Sequence, residues 1–188
     1  MKKPLFWIDL EMTGLDEKID SILEIAVIIT DIEFNVLEEY HRVVFQPQSV
    51  VDNMNSWCKK THGGSGLTAA VAHGTPLSTV QNDLLAIIQR RYSEKDQIVI
   101  AGNSVNNDRR FVDKYLPELA KRLHYRQVDV TSYKEIFREK YGVIFQKANA
   151  HRAIDDIYES IRELKFYLSY VNIQRETAKP SASTQPNK

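Results

Sequence analysis

FWIDLEMTGL (residues 6–15) sets two carboxylates, Asp9 and Glu11, inside a run that otherwise reads as a buried strand. Side chains on a strand alternate faces, so residues two apart point the same way and these two acids stand side by side at the strand's end. Two negative charges about 4 Å apart repel by roughly 4 kcal/mol at an effective dielectric near 20, and burial adds desolvation. A cation or a shared proton has to offset that. A charged pair on one face of an apolar strand is rarely structural.

Working outward, ILEIAVIIT (22–30) is rich in β-branched residues, and YHRVVFQP (40–47) follows a polar connection, so the first third predicts three strands in an antiparallel meander. SVVDNMNSWCKKTHG (49–63) reads as one helix stopped by Gly63 and Gly64. TPLSTVQNDLLAIIQRR (75–91) reads as a longer helix with Thr75 as N-cap and Pro76 in its first turn. Beyond it lie a short apolar strand, QIVIAGNS (97–104), a helix broken at Pro117 (106–123), a brief strand, YRQVDV (125–130), and a helix over 131–142. The last helix, AIDDIYESIRELKFYLSYV (153–171), has apolar residues at 154, 157, 161, 164 and 168, the spacing of one face. Strands first and then alternating helices and strands predict an α/β fold, a mixed sheet flanked by helices on both faces. Residues 1–174 are expected to form a single domain, and 175–188, RETAKPSASTQPNK, a disordered tail.

Composition narrows the function. With 43% hydrophobic and 27% charged residues, the 188-residue chain can bury a full core. Cys58 is the only cysteine, which excludes an intramolecular disulfide and cysteine-rich metal sites and fits a reducing cytoplasm. No apolar run approaches the length of a membrane span, and no GKS or GKT phosphate loop occurs. Lys plus Arg (25) equals Asp plus Glu (25), whereas a grip on long nucleic acid calls for a basic excess. A nucleic-acid ligand is therefore expected to be short.

Two further places carry groups that can join the acidic pair: Asp108 after the strand 97–104, and His151 with Asp155 and Asp156 around the start of the last helix. Hard divalent cations take carboxylate and water oxygens, and two of them can clamp a phosphoryl group. Each residue also has a plainer account. Asp108 can cap its helix, Asp155 and Asp156 can be first-turn acids favoured by the helix dipole, and His151 can be structural. Helical periodicity does not choose between Asp155 and Asp156.

DLEMTGL (9–15), GNSVNNDRRF (102–111) and HRAIDD (151–156) resemble the three motifs of the DEDDh exonucleases, which have an RNase H-like fold. With DNMNSWCKKTHGGSGL (52–67) and HYRQVDV (124–130) in order between them, the chain resembles the oligoribonuclease branch over nearly its whole length, the tail excepted. The resemblance implies 3′-to-5′ hydrolysis of very short single-stranded RNA, dinucleotides especially, in the cytoplasm, with two divalent ions, Mg²⁺ or Mn²⁺. It implies metal binding by Asp9, Glu11, Asp108 and Asp156, with His151 as general base. Leu15 then wedges between bases and Trp57 stacks behind it, where the residues alone suggest ordinary core packing. His62 contacts substrate, and Ser104, Tyr125 and Arg126 surround the far phosphate, with Tyr125 supplied across a homodimer interface. Thr131 and Tyr133 depart from the branch near that phosphate. No membrane and no long nucleic acid is expected as a partner. The rival readings are a DEDDh exonuclease for proofreading or tRNA trimming, and an exonuclease fold kept only as a binding scaffold.

Overall fold

The computed structural model describes residues 3–146 and 152–172. His151 and the tail expected over 175–188 lie outside the described residues.

The three predicted strands form: β1 (Leu5–Met12), β2 (Ile22–Thr30) and β3 (Val36–Val43). They pair antiparallel in sequence order, with Asp9 opposite Ala26 and Glu11 opposite Glu24. β3 starts earlier than its apolar run suggests because Asp31 closes the turn. Its Oδ1 accepts the N–H groups of Glu33 and Asn35, both at 2.9 Å, and delivers Val36 opposite Thr30.

The segment expected as one helix over 49–63 divides into α1 (Gln48–Asp52) and α2 (Ser56–Gly64). The Asn55 side chain accepts the Cys58 N–H at 2.9 Å, so the chain restarts a helix where a continuous one was expected. α3 (Leu67–Val71) follows Gly66, whose φ of 77° suits glycine. Thr75 does not cap α4 (Leu77–Arg91), whose N-cap position is Pro76. The Thr75 backbone instead makes a parallel bridge to Val44, donating to Val43 O at 2.8 Å and accepting from Phe45 N at 2.9 Å.

β4 (Ile98–Gly102), α5 (Asn106–Tyr115), α6 (Pro117–Ala120), β5 (Leu123–Asp129), α7 (Val130–Tyr141) and α8 (Ala153–Leu168) complete the order, with the expected break at Pro117. The five strands run β3-β2-β1-β4-β5, with β4 and β5 parallel to β1. Phe6, Ile8 and Leu10 face a core built with α4, α5 and α6. Leu5 and Trp7 face the opposite core with α8, so the odd-numbered positions of β1, including Asp9 and Glu11, point to the α8 side. On α8 the buried stripe ends at Tyr167, whose ring packs on Phe137 with centroids 5.0 Å apart, rather than at Leu168. Helices cover both faces, and the C-terminal ends of β1, β4 and β5 open on one edge, where α/β sheets gather functional groups. No helix among the described residues is long and apolar enough to cross a membrane.

Candidate active site

β1 carries Asp9 and Glu11 past the point where β4 stops pairing, which is at Trp7 opposite Ala101. α8 then brings Asp156 over them, and one carboxylate oxygen from each of the three lies within 4.8 Å of the others. Asp155 points to solvent and is outside this group, which resolves the choice that periodicity left open. Burial first, then the charges of Asp156, Glu24 and Asp108, push the Glu11 carboxyl up to about 8. Such a cluster is chemically suited to a hard divalent cation.

Asp108, on the first turn of α5, is buried and stands beside the three-acid group rather than within it. Its Oδ1 accepts the Leu10 N–H at 2.9 Å, taking the place of a sheet partner beyond the end of β4. Burial raises its pKa. Asp108 therefore holds β1 in line as well as adding charge to the site.

Glu24 is a buried carboxylate beside the cluster that the sequence reading passed over. It is fully buried opposite Glu11, where two like charges face each other across the ladder. Burial disfavours its charge, but hydrogen bonds from His41 (Nε2 at 2.6 Å), Arg152 (Nε at 2.9 Å) and the Ala153 N–H (3.1 Å) outweigh it and hold the carboxyl near 2. The carboxylate of β2 thus caps α8 at its first residue and places Asp156 one turn further on. A lone glutamate inside ILEIAVIIT, level with Glu11, was the available signal.

Leu15 is 63% exposed and Trp57 64% exposed, so neither is ordinary core. They flank a cleft of about 460 Å³ that Glu11, Cys58 and His62 also line. The loop bearing Leu15 is pinned by Asp20, which accepts from Thr13 Oγ1 at 2.8 Å and Asp16 N at 3.0 Å, and Arg110 of α5 donates to Leu15 O at 3.2 Å. A Cβ on Gly14 would meet the Asp20 carboxylate at 2.4 Å, so any other residue there would push Asp20 away from the groups it pins. His62 is buried, and its Nε2–H donates to Met12 O at 2.9 Å, which turns Nδ1 toward Glu11 Oε2, 3.8 Å away. Cys58 is a buried free thiol whose pKa is raised by that burial, an inert part of the wall.

Ser104 lies at the same sheet edge, just after β4. Tyr125 and Arg126 are not brought to the cluster within one chain. They sit exposed on the edge strand β5, with Tyr125 stacked on His124 at 4.4 Å and bonded through its hydroxyl to Arg126 Nε at 3.1 Å.

The exonuclease family model RNase T matches residues 6–164. The mitochondrial oligoribonuclease of Homo sapiens is 44% identical over 173 residues, covering 89% of this chain and 73% of that protein. The oligoribonuclease of Hydrogenovibrio crunogenus is 44% identical over 168 residues, covering 87% and 91%. Among solved structures, exonuclease I from Methylocaldum szegediense superposes with a TM-score of 0.70 at 15% identity, and exonuclease I of E. coli bound to an oligonucleotide with 0.66 at 14%. This chain spans 41% of each of those two proteins, and the likeness establishes the RNase H-like fold. The match over nearly the whole chain, with the three acids converging where the motifs require, places this chain in the oligoribonuclease family of exonucleases.

Proposed function

We propose that this chain removes nucleotides from the 3′ end of very short single-stranded RNA, dinucleotides above all, releasing nucleoside 5′-monophosphates. As a member of its family it is a metal-dependent 3′-to-5′ exoribonuclease. The observation that carries the reading is the convergence of the Asp9, Glu11 and Asp156 carboxylates. Two divalent ions, Mg²⁺ or Mn²⁺, held by Asp9, Glu11, Asp156 and Asp108, would supply an acidified water and positive charge against the leaving 3′ oxygen. His151, immediately before the clamped Arg152, takes the proton of the attacking water. Leu15 and Trp57 hold bases in the cleft beside Glu11, with His62 closing its floor.

Ser104, Tyr125 and Arg126 receive the distal phosphate in this reading, and the protein works as a homodimer in the cytoplasm. Sheet register supports a Tyr125 supplied by a second copy. Val128 is level with Trp7, so Tyr125 lies five residues short of Asp9 and two strands away. That is roughly 15–20 Å at ordinary strand dimensions, beyond the reach of a tyrosine.

The test is hydrolysis of RNAs two to seven nucleotides long with excess Mg²⁺, following each product. Dinucleotides should be cut with the highest kcat/KM. Equal efficiency on twenty-nucleotide RNA would replace this reading with a DEDDh exonuclease of broader substrate class.

A further inference from the structure

The Leu15 side chain is largely exposed, so it has little of its own protein to rest against and its place is set by its backbone. That backbone belongs to the loop between β1 and β2, and α5 grips the loop from one side. Arg110 Nη2 donates to Leu15 O at 3.2 Å, while its Nη1 pairs with Glu17 Oε2 at 3.0 Å. Lys114, one turn further along α5, donates to Lys18 O at 3.0 Å and also to Glu17 O, and the Tyr115 hydroxyl donates to Asp20 O. Four loop carbonyls thus end on three side chains of one helix, where a surface loop can leave such groups to water. Asn107, one turn before Arg110, accepts from the same Nη2 at 3.0 Å and so aims the guanidinium at the loop. The helix is anchored at its other end as well, because Asp108 accepts the Leu10 N–H at 2.9 Å. α5 is therefore tied to β1 beside the acidic cluster and to the loop that carries Leu15.

We propose that Arg110 is a positioning residue for the bases of the substrate: it clamps the Leu15 backbone to α5, so that Leu15 keeps a fixed distance from the Asp9 and Glu11 carboxylates and does not recoil when two bases close on it. The inference rests on the reading that Leu15 meets the bases. Prying stacked bases apart with an apolar side chain costs free energy, and a wedge on an untied loop would yield before the bases did. Of the three gripping side chains, only that of Arg110 holds the carbonyl of Leu15 itself. Arginine suits the task because its planar fork reaches a carbonyl and a carboxylate at once, whereas a lysine ammonium is a point charge that would hold one of the two. The clamp makes the advantage of a two-base substrate depend on a residue of α5 that need not touch the substrate.

The experiment compares hydrolysis of a dinucleotide with that of the p-nitrophenyl ester of a nucleoside 5′-monophosphate, which offers the same phosphodiester chemistry but a single base and nothing to wedge apart. Both substrates are given, with excess Mg²⁺, to the full-length protein, to Arg110→Met, Arg110→Lys and Leu15→Ala, and to the double variant that combines Arg110→Met with Leu15→Ala. Arg110→Met keeps the apolar stem and removes the donors. Its kcat/KM on the dinucleotide should fall about tenfold, the lower end of the worth of a charge-assisted hydrogen bond, while the ester is cut at the native rate. Arg110→Lys should recover part of the loss, and in the Leu15→Ala background Arg110→Met should add nothing. Equal losses on both substrates, which a merely structural role of Arg110 on α5 would give, or multiplying effects of the two changes, would overturn the clamp. A Leu15→Ala protein with an undiminished advantage for the dinucleotide would overturn the assignment of Leu15 to the bases, and the clamp with it. Should Arg110→Met fail to fold, Arg110→Lys measured against native protein decides the same question, since its smaller loss must again be confined to the dinucleotide.

Discussion

In metal-free protein, Glu11 should make stability fall as pH rises. Its carboxyl is raised from 4.5 to about 8, by burial and by the neighbouring Asp156, Glu24 and Asp108. A group whose folded pKa lies above its unfolded one contributes stability that is complete below the unfolded value and lost as pH climbs through the folded value. The window is therefore pH 4.5 to about 8. At about 1.4 kcal/mol per pKa unit the full span corresponds to about 5 kcal/mol. The side chain is 16% exposed and its neighbours relax, so about 2–4 kcal/mol is the magnitude to expect. Urea denaturation in EDTA at about pH 5 and about pH 8.5 measures it. Glu11→Gln preserves shape without the charge, so at the higher pH the metal-free variant should be more stable than the native sequence. Asp108, also raised by burial, titrates in the same direction, and the variant should keep part of the slope. Added Mg²⁺ should stabilise the native protein more than the variant. An unchanged pH slope in Glu11→Gln, or a variant less stable than native protein in EDTA at high pH, would refute the argument.

Asp108→Asn should keep the bond to the Leu10 N–H and the melting temperature, whereas Asp108→Ala should cost about 1–3 kcal/mol by leaving that N–H unsatisfied; neither should retain turnover, as melting and hydrolysis assays will tell. Glu24→Gln should destabilise the protein by about 2–4 kcal/mol above pH 4.5, less than a fully buried pair because Arg152 is about a third exposed, and should raise the Mg²⁺ concentration needed for half-maximal rate. Because the Glu24 pKa is lowered to about 2, that stabilisation should vanish as pH falls from 4.5 toward 2 in native protein, and a flat acid limb would count against it. His151→Ala should lower kcat by about 10²–10⁴-fold with metal affinity retained, and equal losses in both would make His151 a ligand. Mixing Tyr125→Ala with Asp9→Ala protein should recover activity if subunits exchange, while a mixture as inactive as its parts, from a protein that sediments as a monomer, would remove Tyr125 from the site.

Local pattern carried much of this molecule. An apolar run announced β1 and a β-branched one β2, a pair of acids two residues apart announced one face of β1, and the break at Pro117 followed from the ring's lack of an N–H. Those signals act within a few residues, where alternation and helical period operate. They failed where a distant partner competed. Thr75 was drawn from a cap into a bridge with Val44, and Asn55 captured the Cys58 N–H and divided a helix. The active site shows the same division. Sequence named the acids, but only the sheet order brings Asp156 onto Asp9 and Glu11, and only the short β4 leaves the Leu10 N–H for Asp108 to accept. Glu24 and Arg152, 128 residues apart, meet because β2 lies beneath the start of α8. A buried carboxylate is tolerable only beside its counter-charges, and no pattern along the chain specifies which residues those are, because burial and proximity arise when the sheet and the helix pack together.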